Sequence, residues 1–327
     1  MHKLFTLMEC SRIFSLPMTI MSWLIIFVYA IFDFGNIFYG ILALIGISFA
    51  HMGTNLLDDY FDYKALIKQV DFNKEEYLKN SQKTKCRYLV NGVLSELDLL
   101  LFTGANFFVA LLVGAFLYIK CGVGALYFAI AGAVIVLLYS FLSRICLSEI
   151  AVALAYGPVL FGGIFYVMTG TYSNEVYLLC LPTTFMTVVL LYIHTVMDYE
   201  FDKYEGKITL ANRFDSQLDA LVVLKWLLIF AYLSVVFLCM FDIADWQIFA
   251  TYLTIPLAVD LYSSMQSFAC NPDKMPDKKW FHFPMENLAT FEKHGEGAFM
   301  SRMLQSRNLM IYFSIFMAVG LVISLGI

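Results

Sequence analysis

The chain has 327 residues, of which 61% are hydrophobic and only 14% charged, and its mean hydropathy is +0.75. A typical soluble domain is roughly a quarter charged, and even a 300-residue globule leaves about a quarter of its unfolded surface in water. This composition excludes a water-soluble enzyme, a nucleic-acid-binding protein and a disordered chain. Lipid must be the solvent for most of the surface. The seven cysteines form no CxxC pair and are typical of small buried hydrophobic residues.

Nine apolar stretches are long enough to cross a membrane, since a membrane helix needs about 20 mostly apolar residues. In chain order the predicted spans are 13–32, 34–57, 99–119, 121–143, 150–174, 176–197, 219–241, 246–268 and 308–327. The sequence therefore predicts an all-α fold, a polytopic membrane protein built as a bundle of about nine transmembrane helices. We expect one domain over residues 1–327.

The positive charges predict the orientation of this bundle. Every Lys and Arg except Lys120 and Lys225 falls on one side of the nine-span arrangement. By the positive-inside rule that side faces the cytoplasm. We therefore expect a cytoplasmic N-terminus and cytoplasmic loops at about 54–98, 198–218 and 269–307. The first loop is expected to cap the bundle, and the third to cover it or lie along the membrane interface.

Two acidic motifs follow apolar spans on this same side, one after the second span and one after the sixth. Oxygen-bearing side chains recur four residues apart in both, as Asn55 with Asp59, Asp58 with Asp62, and Asp198 with Asp202. This spacing places each pair on one face of a continuing helix. Four spans separate the motifs, so both return to the same side and are able to face each other.

Converging carboxylates repel one another unless a cation lies between them. Oxygen ligands without His or Cys suit a hard ion, and Mg²⁺ is commonly held by carboxylates together with substrate phosphates. The pair of motifs therefore predicts Mg²⁺ ions that grip a diphosphate. The alternative is a solvated helix end, which is the ordinary interpretation of a single such motif.

These residues resemble the two aspartate-rich motifs of the UbiA superfamily of intramembrane prenyltransferases, NxxxDxxxD and DxxxDxxxGxxT. Asn55 and Asp59 match the first pattern, whereas its third position is Tyr63 and Asp62 lies beside it. The second motif matches throughout, with Asp198, Asp202, Gly206 and Thr209. Two shorter segments also resemble family patterns. Tyr139 to Arg144 keeps the Tyr and the Arg of a Tyr-x-x-x-Lys-Arg run but has Ser143 in place of the Lys, and Arg87 to Gly92 matches an Arg-x-x-x-x-Gly stretch. The form of the first motif is most similar to the branch that prenylates 1,4-dihydroxy-2-naphthoate for menaquinone synthesis.

The resemblance implies a function, namely Mg²⁺-dependent transfer of a polyprenyl group from a prenyl diphosphate to an aromatic acceptor. It implies that the active site faces the cytoplasm and that five residues are metal ligands: Asn55, Asp59, Asp62, Asp198 and Asp202. Asp198 and Asp202 are then also catalytic, and Tyr139 is expected to stabilise an allylic cation by its aromatic face.

The remaining expected contacts are to substrate. Asn55, Arg87, Arg144 and Lys64 are expected to bind the donor, although the basic residues also fit simple anchoring at the cytoplasmic interface. His194, four residues before the second motif, is expected to orient the acceptor, with a structural hydrogen-bonding role as the alternative; His51 stands in the same relation to the first motif. No role is evident for Asp260.

The acceptor is the least determined part of this prediction. Naphthoate-prenylating relatives commonly carry Asn-Asn-x-Arg-Asp before the second motif, and this chain has Met197 in place of the arginine. Another aromatic or lipid acceptor therefore stays open. A secondary transporter with an intramembrane acidic site is the alternative from a different class. It would require charges near the bilayer midplane, whereas here they cluster at one face.

Overall fold

The computed structural model describes residues 2–68, 74, 86–204, 207–293 and 295–326. In these residues nine helices are long and apolar enough to cross a membrane, and a single isolated bridge is the one trace of strand pairing. The spans, numbered first to ninth, are Ile13–Phe32, Ile37–Leu66, Glu96–Cys121, Val123–Leu142, Ser148–Thr169, Glu175–Met197, Gln217–Met240, Trp246–Cys270 and Gly297–Gly326. The predicted all-α fold with nine spans is confirmed.

Several spans begin at residues that satisfy the free N–H groups of a first helical turn. Asn36 accepts a hydrogen bond from the Tyr39 N–H before the second span, and Ser216 accepts one from the Asp219 N–H before the seventh. Ser95 and Asp98 form a reciprocal capping box at the third. Such caps matter because an unsatisfied N–H near the apolar layer is costly.

Two spans are longer than their apolar stretches. The second runs to Leu66 rather than 57, and the ninth begins at Gly297 rather than 308. The extra turns carry polar side chains that are buried against other parts of the protein, Asp58 and Arg302 among them. Hydropathy alone ends a span where charge begins, so it missed these extensions.

Two other spans are interrupted. The fifth contains a wide turn at Ala155–Val159, where Gly157 departs from helical geometry (φ −94°, ψ −110°) and Pro158 offers no backbone N–H. The eighth starts as a tighter 3₁₀ helix over Trp246–Thr254 before Ile255–Cys270 continues as an α-helix. The sixth span is the most deeply buried and forms the centre of the bundle, whereas the fourth lies at its edge.

The predicted loop 269–307 is shorter than expected, spanning 271–296, and it is fixed to the eighth and ninth spans. Asp260 forms an ion pair with Lys279, and its Oδ2 lies 2.6 Å from Nε2 of the fully buried His282. Asn308 donates hydrogen bonds of 2.7 Å to the backbone oxygens of His282 and Pro284. Asp260, which had no predicted role, therefore anchors this loop.

We expect Asp260→Ala to lower the thermal stability of the purified protein. The change leaves Lys279 and the buried His282 without their carboxylate. An orphaned buried polar group such as His282 costs about 1–3 kcal/mol. The readout is the melting temperature in detergent. Lys278→Ala is the matched control, because Lys278 pairs with Glu292 at the exposed surface, where such pairs contribute about 0–1 kcal/mol. Equal melting temperatures for both variants would contradict the anchoring role.

The same anchor predicts a pH dependence. Burial lowers the pKa of His282 below its ordinary value of 6.5, against the opposing effect of Asp260. The folded state therefore binds fewer protons than the unfolded state as the pH falls below about 6.5, and stability decreases. We expect the melting temperature to drop between pH 7.5 and 5.5, and to drop less in His282→Gln. The opposite order would show that His282 is protonated in the fold.

Candidate functional site

The first acidic motif lies on the last three turns of the second span. Asp58, Asp59 and Asp62 are all buried, with 4%, 5% and 9% of their surface exposed. Asn55 donates hydrogen bonds to the backbone oxygen of Ser11 at 3.0 Å and to Oγ of Ser15 at 3.4 Å. Because its amide nitrogen makes both contacts, its oxygen is the atom left for a cation.

Basic side chains hold these buried carboxylates. Arg12, in the short connection before the first span, forms an ion pair with Asp59 and lies 3.8 Å from Oδ2 of Asp58. Asp62 lies between two cations, 3.0 Å from Nη2 of Arg144 and 2.9 Å from Nζ of Lys207. The neighbouring acids raise the pKa of Arg12 above its ordinary value although burial opposes this. Opposite charge thus permits three acidic groups to be buried within two turns of helix.

The second motif lies where the helix of the sixth span is interrupted. The sixth span ends at Met197, Asp198 adopts a non-helical ψ of 2°, and a short helix follows over Tyr199–Tyr204. The expected continuous helix is therefore interrupted. The Asp202 N–H nevertheless donates to the Asp198 oxygen at 2.8 Å, so the two residues stay one turn apart. Both are buried, at 4% and 8% exposure.

His194 lies beside this motif, with Nδ1 at 3.4 Å from Oδ2 of Asp198 and its ring edge-on to Phe299. Tyr199 is fully buried and donates to the Phe214 oxygen at 2.8 Å. Lys203 donates to the Tyr199 hydroxyl at 2.7 Å, and this hydrogen bond raises the pKa of Lys203. The aromatic ring thus fixes the short helix that carries Asp202.

The two motifs meet at one end of the bundle through the segment that follows the second. Asn212 closes a turn there by accepting from the Thr209 N–H and donating to the Lys207 oxygen, which places Lys207 against Asp62. Ile208 pairs with Ile145 in an isolated parallel bridge. Arg144 is therefore brought to the same carboxylate. Gly206, the glycine of the DxxxDxxxGxxT pattern, lies outside the described residues.

Two of the predicted donor-binding residues have surroundings other than the motif carboxylates. Lys64 pairs with Glu96 at the start of the third span, and Arg87 is exposed on the short helix Arg87–Val90. Much of the predicted cap, 69–73 and 75–85, lies outside the described residues. Tyr139 is partly buried and within electrostatic range of Arg12, and the adjacent Ser140 donates to Asp58 at 3.1 Å.

The donor set fits a hard divalent cation. It consists of carboxylates and one amide, the ligands that Mg²⁺ takes in proteins. Within the ranges that the structure describes, however, no three acidic, His or Cys side chains gather into a ready metal cluster. The first-motif carboxylates Asp59 and Asp62 are instead paired with Arg12, Arg144 and Lys207. Binding of a cation would therefore replace these pairs, and it would free three basic groups to contact an anion.

The chain matches known proteins over most of its length. The model of the UbiA prenyltransferase family covers residues 15–286. The chain belongs to the UbiA prenyltransferase family. It is thus an integral membrane enzyme that transfers prenyl groups. None of the curated protein sequences matches it significantly.

Three solved structures are similar to this UbiA prenyltransferase. A digeranylgeranylglyceryl phosphate synthase is 15% identical, with 98% of this chain and 99% of that chain covered and a TM-score of 0.57. A UbiA homologue from Aeropyrum pernix K1 is 15% identical, with coverages of 93% and 97% and a TM-score of 0.53. A homologue from Archaeoglobus fulgidus bound to GPP and Mg²⁺ is 16% identical, covers 94% and 99%, and has a TM-score of 0.48. At these identities the likeness is one of fold.

Sequence reasoning missed two basic residues of the site. Arg12 was counted only among the positive charges, and its position directly before the first span was the one available signal. Lys207 follows the glycine of the second motif, where no pattern distinguished it from Lys203. Asp58, which the sequence singled out only by its spacing with Asp62, lies near Arg12 and accepts a hydrogen bond from Ser140.

We expect Lys207→Met to lower the melting temperature of this prenyltransferase. The change removes one of the cations that contact the buried Asp62 carboxylate, a loss of about 1–3 kcal/mol. Lys203→Met is the matched control, since Lys203 lies four residues earlier and contacts a tyrosine hydroxyl rather than a motif carboxylate. The comparison is made in detergent at low ionic strength. If the Lys203 variant loses as much stability as the Lys207 variant, the Asp62 ion pair is not what holds the two motif segments together.

Proposed function

We propose that this UbiA prenyltransferase transfers a polyprenyl group from its diphosphate to 1,4-dihydroxy-2-naphthoate, a step of menaquinone biosynthesis, at a site facing the cytoplasm. One observation carries the proposal. Two buried acidic motifs lie at the same end of the bundle, where Arg144 and Lys207 both contact Asp62 of the first motif and Lys207 comes from the segment of the second. The branch assignment rests on the Asn-x-x-x-Asp-Tyr-x-Asp form of the first motif.

Donor binding would involve an exchange of partners. Asn55, Asp59, Asp62, Asp198 and Asp202 would hold Mg²⁺, which would supply positive charge to the leaving diphosphate. Arg12, Arg144 and Lys207, which contact Asp59 and Asp62, would then be available to the diphosphate oxygens, where charge-assisted hydrogen bonds are strong. The diphosphate is thereby fixed at the bundle end, and the prenyl chain extends along the apolar helices.

The chemistry is an alkylation of an aromatic ring. The C–O bond of the donor breaks and its electron pair leaves with the diphosphate, which Arg12, Arg144 and Lys207 stabilise. The allylic cation is shielded from water by the apolar bundle and faced by Tyr139, whose ring contributes about 2 kcal/mol when desolvated. A ring carbon of the acceptor forms the new C–C bond, and the ring then loses a proton to the released diphosphate, which restores aromaticity.

We expect Asp198→Asn to lower the turnover number for prenyl transfer by about 10²–10³-fold. Asp198 would help to hold the Mg²⁺ that supplies positive charge to the leaving diphosphate, and losing one electrostatic contribution to a developing anion usually costs this much. The assay measures diphosphate release and prenylated product from a long-chain prenyl diphosphate in detergent, with and without Mg²⁺. Asp215→Asn is the matched control, because Asp215 is an exposed carboxylate in the segment that follows the same motif.

The acceptor is tested in the same assay. Mg²⁺-dependent product with 1,4-dihydroxy-2-naphthoate, lost in Asp198→Asn and kept in Asp215→Asn, supports both the activity and the branch. Turnover with 4-hydroxybenzoate or a lipid alcohol instead would retain prenyl transfer and refute the menaquinone assignment. Folded protein that neither binds a prenyl diphosphate nor turns over any acceptor would refute the proposed function.

A further inference from the structure

A second polar cluster lies deeper in the bundle than the acidic motifs and plays no part in holding the diphosphate. It joins three spans. Nε2 of His51, in the second span, lies 2.8 Å from Oγ of Ser15 in the first. Nδ1 of His51 lies 2.7 Å from both Oγ1 of Thr19, in the first span, and the hydroxyl of Tyr156, in the fifth.

Packing of these spans does not require such a cluster. The first and fifth spans also meet through wholly buried apolar residues, among them Ile25, Ile26, Phe161 and Ile164. Polar side chains within the membrane layer are costly unless hydrogen-bonded. Thr19 is fully buried, whereas Ser15, His51 and Tyr156 are only partly buried, so the cluster is not sealed inside the core.

The hydrogen bonding of the cluster leaves capacity for a ligand. A ring nitrogen of neutral histidine has either one hydrogen or one lone pair. The Ser15 hydroxyl donates to the Arg12 backbone oxygen at 2.7 Å, so it accepts from Nε2 of His51 and leaves Nδ1 as an acceptor. The Thr19 and Tyr156 hydroxyls both lie 2.7 Å from Nδ1 and also hydrogen-bond to each other. The O–H donors are therefore used within the cluster, and its hydroxyl oxygens keep acceptor lone pairs to which an additional O–H group is able to donate.

The cluster lies one helical turn inward of Asn55, on the side where the reacting end of a bound donor would be. His51 precedes Asn55 by four residues on one helix, a rise of about 6 Å on the same face. Ser15 bridges them, since it contacts both His51 and the Asn55 amide. A diphosphate held at the motif would present its first prenyl carbon toward this deeper level, which is where the acceptor ring must lie. On the fifth span, Tyr156 directly precedes the non-helical Gly157.

The chemistry of the cluster selects the kind of ligand. The hydroxyl oxygens of the cluster offer acceptor lone pairs and no fixed charge. They suit a hydroxyl on an aromatic ring, which is able to donate, whereas a carboxylate would be neither neutralised nor given a hydrogen bond. Fixing that hydroxyl would also fix which ring carbon faces the donor.

We propose that Ser15, Thr19, His51 and Tyr156 form a subsite that binds a ring hydroxyl of the aromatic acceptor. The inference rests on the proposed prenyl transfer and adds the acceptor class, a hydroxyarene recognised through its hydroxyl. It makes Tyr156 and His51 acceptor-binding residues, distinct from the groups that hold the donor.

The test is equilibrium binding of 1-naphthol to the full-length protein in detergent, with Mg²⁺ and a saturating unreactive thiolo analogue of a prenyl diphosphate. Wild type should bind 1-naphthol at least tenfold more tightly than naphthalene, because a site built for a hydroxyl rejects the ring that lacks it. Tyr156→Phe and the isosteric Thr19→Val should each weaken 1-naphthol binding by roughly five- to tenfold. Neither should change the affinity for naphthalene or for the donor analogue.

Tyr166→Phe is the matched control, and this variant should bind 1-naphthol as wild type does. Tyr166 lies ten residues along the same span, and the centre of its ring is 4.7 Å from that of Tyr172. Equal affinity of wild type for 1-naphthol and naphthalene would overturn the subsite, as would 1-naphthol binding that both Tyr156→Phe and Thr19→Val leave unchanged. A parallel loss of donor-analogue binding in these variants would show a structural role instead. Failure of wild type to bind the donor analogue with Mg²⁺ would refute the proposed prenyl transfer, a result separate from these.

Discussion

Burial of negative charge at the end of an apolar bundle is the constraint on which this structure depends. Asp58, Asp59, Asp62, Asp198 and Asp202 are each less than a tenth exposed. Ionised carboxylates are not stable in such surroundings without opposite charge or strong hydrogen bonds. At the first motif the chain meets this requirement with basic residues drawn from three separate segments, at positions 12, 144 and 207, and at the second motif His194 lies beside Asp198. Those ion pairs join parts of the chain that the helices alone would leave independent.

The need for counter-charge also explains two features of the helices that carry the motifs. The second span continues past its apolar stretch because its extra turns carry the acids that Arg12, Arg144 and Lys207 bind. The sixth span stops at Met197, and the segment after Asp198 carries Lys207, which reaches Asp62. The interruptions of the fifth and eighth spans, which carry no acidic motif, are of another kind, and the one in the fifth coincides with Gly157 and Pro158.

The nine spans could be predicted because membrane helices are defined by a single property, about 20 consecutive apolar residues. Their true ends could not, because Leu66 and Gly297 are set by tertiary partners that hydropathy does not record. The acidic motifs stood out through their four-residue spacing, and their meeting at one bundle end followed from an even number of spans. Arg12 and Lys207 had no such pattern. A lone basic residue near a membrane helix has an ordinary explanation, and only its distance to a buried carboxylate distinguishes it. The predicted ligand roles themselves remain predictions.

The two sides of the site differ in what they offer an acceptor. On the side of the second motif, Met197 occupies the position where naphthoate-prenylating relatives commonly have arginine, and it is buried in the hydrophobic core. His194 lies against Asp198 and Phe299. That side therefore lacks the cation expected to bind an acceptor carboxylate. On the side of the first motif, the polar groups continue inward from Asn55 through Ser15 to His51 and Tyr156. This difference supports the proposed recognition of the acceptor by the first, second and fifth spans through its hydroxyl groups. If the acceptor carries a carboxylate, that charge must be met by the basic residues released from the acidic motifs, so donor binding would have to precede acceptor binding.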